Sequence, residues 1–240
     1  MRYKRIKLNN YNLNLIKTNK FKTNLIKVFF QHDFKEKEVA LRNFLITYMV
    51  YTTNTYKTHR DIVLKSEDLY GTTITSRSYR LGKTDNIEFN LLYLNPKYTE
   101  PSMELDSLLF LKDILFNPNF KQDSFNKIAK YLKNSMKNDI ETIKENKELY
   151  ASIRLKEEMN KEYISSTEFG KVKEIEDITL NDLINYYNYI INNSYIDIYV
   201  SGDISFNIIK LFKKYFIFNN SNNYIEPFLK INFNKLKTIK

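Results

Sequence analysis

The stretch Arg42-Asn43-Phe44-Leu45-Ile46-Thr47-Tyr48-Met49-Val50 reads as the middle of a helix running from about residue 36 to about residue 53. Val39, Leu41, Phe44, Leu45, Tyr48 and Met49 recur at three- and four-residue steps, a spacing that gathers them on one buried face. Upstream, residues 12–17 and 21–30 read as strands separated by the polar turn Thr18-Asn19-Lys20. The second has a nearly continuous apolar run, Leu25, Ile26, Val28, Phe29 and Phe30. That suits a strand buried on both faces, or one buried face plus an edge contact. Gln31-His32-Asp33-Phe34 reads as a loop into the helix.

Downstream, Thr58 is placed to cap a second helix over residues 60–69, its hydroxyl accepting an otherwise unpaired amide hydrogen. Tyr70-Gly71 ends that helix, with Gly where a left-handed residue is favoured. Two strands, 72–80 and 86–94, flank a hairpin loop Leu81-Gly82-Lys83-Thr84-Asp85. An amphipathic helix over 103–115 closes at Asn117-Pro118-Asn119-Phe120. A long helical stretch, 122–159, breaks near residues 144–147. A helix at 181–191, a strand at 194–201 and a helix from Ser205 to about Phe216 follow. Residues 219–240 read as an Asn-rich linker and short tail, β-like over 225–233. Runs of strands followed by runs of helices predict an α+β fold, a mostly antiparallel sheet with helices mainly on one face.

Composition narrows the class. The chain has 240 residues, 42% hydrophobic and 15% aromatic, so it can bury a large core. Four Gly and four Pro argue against a loop-rich all-β fold. With no Cys there is no disulfide framework or thiolate metal site. No apolar run approaches the ~20 residues needed to cross a bilayer, and the basic start is not followed by the apolar core of a signal peptide. A cytoplasmic location is the expectation.

The net charge of +10 gathers at the ends: +8 over residues 1–30 and +5 over 203–240, which leaves −3 for the middle. Basic ends can steer an anionic partner. No recognised nucleic-acid motif, Arg-rich run or aromatic interleaving accompanies them, which argues against nucleic acid.

Several short matches, in order, carry a family resemblance. They are Lys20-Phe21-Lys22-Thr23-Asn24; Glu67-Asp68-Leu69-Tyr70-Gly71-Thr72; Leu115-Phe116-Asn117-Pro118-Asn119-Phe120; Asn146-Lys147-Glu148-Leu149-Tyr150-Ala151 with Arg154-Leu155 and Glu157-Glu158-Met159; Ile178-Thr179-Leu180-Asn181-Asp182-Leu183; and Val200-Ser201-Gly202-Asp203-Ile204. Over roughly residues 12–218 the chain resembles one domain, of the N-terminal type, of the pitrilysin/insulinase-like (M16) zinc peptidases, in their non-catalytic, YfmF-like branch. Residues 1–218 are then an M16-like domain.

The resemblance places the family's His-x-x-Glu-His on Asn43-Phe44-Leu45-Ile46-Thr47. Zinc hydrolysis needs protein ligands, an open water position and a general base. Asn43 and Thr47 stand where the two His belong, and Ile46, which cannot accept a proton, stands for the base. The third ligand falls near Asn138 or Asp139. No catalytic residue, metal site or cofactor is therefore expected.

The resemblance also implies a second such domain, so the chain reads as a natural half, a truncated gene or a fragment. Its implied partner is a catalytic M16 subunit or a second M16-like half. An inactive M16 subunit closes the chamber and helps hold extended peptide, often on an exposed sheet edge. The alternatives are an active zinc endopeptidase with a displaced site, and a nucleic-acid or anionic-surface binder acting through the basic ends.

Other candidates have plainer readings. His32 and His59, with a carboxylate such as Asp33 or Asp61, lack metal-site spacing and read as a loop and a helix-start residue. Glu141, Glu145, Glu157 and Glu158 lie among lysines and read as a solvated helical face. Gly71, Gly82, Gly170 and Gly202 form no phosphate loop. Tyr186, Tyr187 and Tyr189 could stack bases, but their spacing suits half-buried packing. Phe216-Ile217-Phe218 and the stretch 225–233 are expected to expose apolar surface.

Overall fold

The computed structural model describes residues 2–8, 10–159, 169–205 and 207–220. The chain order is β1 (Arg2–Lys7), β2 (Asn12–Lys17), β3 (Thr23–Asp33), α1 (Val39–Tyr51), α2 (His59–Asp68), β4 (Thr73–Leu81), β5 (Thr84–Leu94), α3 (Met103–Phe116), α4 (Gln122–Glu145), α5 (Lys147–Met159), α6 (Val172–Asp177), α7 (Leu180–Asn193), β6 (Tyr195–Gly202) and α8 (Asn207–Tyr215). The strands form one six-stranded sheet in the order β1-β2-β6-β3-β5-β4. Every neighbouring pair is antiparallel except β2 and β6. This is the α+β class expected from the sequence.

Alternation along the central strands separates the two faces of the sheet. On β3, Ile26, Val28, Phe30 and His32 are buried, while Leu25, Lys27, Phe29 and Gln31 are half-buried. Ile196, Ile198 and Val200 of β6 and Ile87, Phe89, Leu91 and Tyr93 of β5 join the buried side. Against it pack Phe44, Leu45, Tyr48 and Met49 of α1, Leu108, Leu111, Ile114 and Leu115 of α3, Leu183 and Ile190 of α7, and Phe212 of α8. So β3 has one fully buried face, not two, and the helices lie mainly on that side.

Several local expectations change. Strand β1 was not anticipated: five of its six residues are exposed and only Ile6 touches the core. A polar edge strand lacks the apolar alternation by which strands are recognised. β2 and β3 are not a hairpin, since β6 from the far end of the chain lies between them. His32 and Asp33 belong to β3 rather than a loop. The β4–β5 loop shrinks to Gly82-Lys83, which puts Thr84 and Asp85 on a buried strand.

The helix break falls at Asn146, whose side chain accepts the Leu149 amide hydrogen at 3.1 Å. Phe216 and Phe218, expected at the surface, are 1% and 2% exposed, and only Ile217 faces solvent. Phe218 packs its ring against Tyr11, Phe30 and Phe116, so the end of the unit is tied to its start. Asn220 is also buried and donates to the Ser194 carbonyl. The β-like stretch 225–233 lies outside the described residues.

The α2 cap forms as a reciprocal pair: Thr58 Oγ1 accepts from the Asp61 amide at 3.2 Å, and Asp61 Oδ2 from the Thr58 amide at 2.9 Å. At its other end Tyr70 and Gly71 both take positive φ, 54° and 72°. A Cβ on Gly71 would touch nothing within 4 Å, whereas one on Gly202 would run into Asn24. Gly71→Val should thus cost only backbone strain, on the order of 1–2 kcal/mol, and Gly202→Ala should cost more. Urea unfolding of the two variants measures both. An unchanged Gly71→Val midpoint would contradict the conformational argument.

Candidate functional site

Helix α1 follows a short 3-10 turn, Glu36–Glu38, and ends when the Thr52 amide bonds back to the Tyr48 carbonyl. It is buried on most of its circumference, Arg42, Phe44, Leu45, Ile46 and Tyr48 included. Its sheet-facing side meets the edge strand β4. There Asn43 Oδ1 accepts from Ser78 Oγ at 2.6 Å and from Arg42 Nε at 3.2 Å. Thr47 Oγ1 donates to the Asn43 carbonyl, one turn back, at 2.9 Å. Ile46 is 5% exposed, and its carbonyl accepts from Ser76 Oγ at 3.1 Å.

The window that would carry His-x-x-Glu-His is thus a neutral seam of amide, hydroxyls and one isoleucine. None of these groups gains or loses a proton near neutral pH. Asn138 and Asp139 lie exposed on α4. Among the described residues no three His, Cys, Asp or Glu side chains are grouped to hold a metal ion.

The ionisable chemistry lies one residue away and was not legible in the sequence. Arg42, 1% exposed, is ion-paired with Asp85 on β5, 0% exposed. The other Asp85 oxygen is 4.0 Å from His32 Nε2, which is 3.0 Å from the Tyr186 hydroxyl. Burial pushes Asp85 up to about 6 even with Arg42 pulling the other way. Burial first, then Arg42 and Lys35, lowers His32 to about 4, so its ring is neutral at pH 7. Tyr186 is held protonated far above the usual phenol range, again chiefly by burial. Arg42 looks like a polar-face residue in the helical pattern, and Asp85 looks like part of a loop, so no spacing linked them.

The other candidates are scattered. His59 stacks on Tyr51 at the start of α2, with ring centroids 4.3 Å apart, in surroundings separate from those of His32. Tyr186 is buried, and Tyr187 packs on Phe120 and donates to the Leu115 carbonyl, so both are packing residues. Glu141 and Glu145 are exposed.

No protein-family model matches the chain. The probable inactive metalloprotease YmfF of Bacillus subtilis (strain 168) is 27% identical over 210 residues, 84% of this chain and 49% of that protein. A conserved protein from Enterococcus faecalis V583 superposes with TM-score 0.85 at 23% identity, over 94% of this chain and 55% of its own. The chain is thus similar in sequence to a probable inactive metalloprotease, and it shares a fold with M16 peptidase domains. The M16 inactive domain from Pseudomonas fluorescens gives TM-score 0.71 at 16% identity over 89% of this chain and 50% of its own. The first half of the periplasmic protease PqqL from Escherichia coli gives 0.73 at 11% over 89% and 45%. The chain spans about half the length of these proteins.

Two outcomes follow for this site. Ile46→Glu puts a carboxylate at a position that is 5% exposed, so it should cost about 3 kcal/mol or more and yield no hydrolysis. A variant of undiminished denaturation midpoint would refute the closed seam. His32 has a lowered folded-state value, so the unfolded chain binds its proton more readily, and its contribution to stability grows as pH rises from about 4 to 6.5. The deficit of His32→Leu relative to the parent should therefore widen over that range, by on the order of 2–3 kcal/mol. Urea titrations at both pH values measure it, and a pH-independent deficit would show that the ring is not held neutral.

Proposed function

We propose that the chain is a catalytically inactive M16 peptidase-like protein that binds extended peptide or supports an active subunit in a zinc protease heterodimer. The observation that carries this is the seam itself: Asn43, Ile46 and Thr47 occupy the motif positions and are engaged with each other and with Ser76 and Ser78 of β4. Its similarity to a protein described as a probable inactive metalloprotease supports the loss of chemistry.

Strand β4 supports the peptide-holding part. Among the described residues it pairs only with β5, and Thr73, Thr75 and Arg77 are exposed along it. A free strand edge beside the altered helix is a place where extended peptide can add by main-chain hydrogen bonds. That the neighbours match this chain over about half their length supports a partner that is a catalytic M16 subunit or a second M16-like half. A unit over residues 1–218 and a cytoplasmic location are parts of the same proposal. The latter draws on a chain without Cys, in which no described helix is long and apolar enough to cross a membrane.

The test is co-expression with an M16 protein bearing an intact His-x-x-Glu-His, followed by sizing, melting and zinc analysis. We expect less than stoichiometric zinc on this chain, no hydrolysis by it alone, and a co-eluting complex with a raised melting temperature. A monomer unaffected by such partners would count against the subunit reading. One zinc per chain, lost on mutating His32 or His59, would establish the displaced-site alternative.

A further inference from the structure

Among the described residues, four polar side chains where β3, β4, β5 and the start of α1 meet bond through one atom and leave another buried without a partner. His32 Nε2 lies 3.0 Å from the Tyr186 hydroxyl, and Nδ1 is unpartnered. Asp85 Oδ1 is held by Arg42, and Oδ2 is unpartnered. Glu38 Oε1 accepts from Lys35 at 3.0 Å and Arg80 Nε donates to the Gly82 carbonyl at 2.6 Å, while Glu38 Oε2 and Arg80 Nη1 are unpartnered. Such half-used groups in a buried place call for a reason.

The free Asp85 oxygen and His32 Nε2 are 4.0 Å apart, on side chains 0% and 1% exposed. The groups that face this pair are Arg42 from α1, Arg80 from β4, Lys35 and Glu38 from the approach to α1, and Tyr186 and Tyr189 from α7. They decide where an added proton goes. On the ring it would put a second cation beside Arg42, out of contact with solvent. On Asp85 it would remove a buried charge, and Oδ2 is free to take it because Arg42 holds Oδ1. The two groups accordingly stand in the reverse of their usual order, Asp85 at about 6 and His32 at about 4, each moved chiefly by burial.

We propose that this junction is an acid-sensing relay, in which one proton taken up by Asp85 moves the His32 ring from its Nε2–H to its Nδ1–H tautomer without charging it. With Asp85 ionised, the ring hydrogen belongs on Nε2, where the Tyr186 oxygen accepts it and the carboxylate attracts it. With Asp85 neutral, Oδ2–H is a donor that would meet a second donor at Nε2–H. The ring hydrogen then sits on Nδ1, and Nε2 becomes the acceptor. One proton enters from solvent: Oδ2 gains an O–H bond, Nε2 loses its N–H bond and Nδ1 gains one. The Tyr186 hydroxyl no longer accepts from the ring, so the hydrogen bonding that links β5, β3 and α7 changes direction. The relay uses none of residues 43–47, so it stands or falls apart from the reading above.

The experiment is nitrogen NMR of the full 240-residue chain labelled with 15N-histidine and carrying His59→Gln, which leaves His32 as its one histidine. Ring nitrogens with and without a hydrogen resonate far apart. From about pH 7.5 to about pH 5 the two nitrogens should exchange their protonated and bare signals, with a midpoint near 6. Neither should reach the imidazolium position. Asp85→Asn can keep its carbonyl on Arg42 and present an amide donor to the ring, so it should hold the Nδ1–H form at about pH 7.5. Should that variant misfold, the Asp85 carboxyl carbon of the 13C-aspartate-labelled chain should titrate with the same midpoint as the ring. A ring that keeps one tautomer throughout, a ring that becomes charged with a midpoint near 6, or an Asp85 carboxyl still ionised at about pH 5 would overturn the proposal.

Discussion

Helix α1 is joined to the sheet by a buried ion pair, Arg42 to Asp85, and much of the arrangement around residues 43–47 follows from it. Two charges taken out of water are tolerated only when they satisfy one another and their remaining hydrogen bonds. Asp85 meets that demand with one oxygen only, on Arg42; the other is buried without a hydrogen bond, 4.0 Å from His32 Nε2. Arg42 meets it by also reaching Asn43. The pair fixes how far along β5 the helix sits, and that position brings Asn43 and Ile46 against Ser78 and Ser76. Burial in the same place, with Arg42 adding to it for His32, keeps the His32 ring neutral and the Tyr186 hydroxyl protonated at neutral pH.

This constraint separates structure from catalysis at one short window. A zinc peptidase helix must present charged and ligating groups to an open, wet position. Here the equivalent groups are spent on internal hydrogen bonds, and the middle of the window is a buried isoleucine. What such a helix can still do is hold the edge strand β4 in place.

The sequence made the helices legible because their apolar positions recur with helical spacing, and the cap at Thr58 is local chemistry. The central strands were legible because one face is apolar. Strand β1 was missed because its residues carry charge rather than pattern. The insertion of β6 between β2 and β3 is a long-range pairing that no local window contains. Asn43, Ile46 and Thr47 were readable as residues unsuited to zinc chemistry, but the contacts they make were not. Ser76, Ser78, Asp85 and Arg42 are ordinary polar residues until the fold brings them together. Phe216 and Phe218 show the opposite error: two phenylalanines near the end of the described chain were read as bare, whereas the core closes over them.

The claim that α1 is now a structural keystone rests on the Arg42–Asp85 pair, and a double-mutant cycle tests it most directly. Arg42→Met and Asp85→Leu, alone and together, would be followed by urea unfolding at neutral pH. Each single change should cost about 3–5 kcal/mol, Asp85→Leu by leaving Arg42 charged and buried and Arg42→Met by leaving the Asp85 carboxyl buried without its partner, and the double variant should cost far less than the sum. Additive losses, or single variants within about 0.5 kcal/mol of the parent, would contradict it.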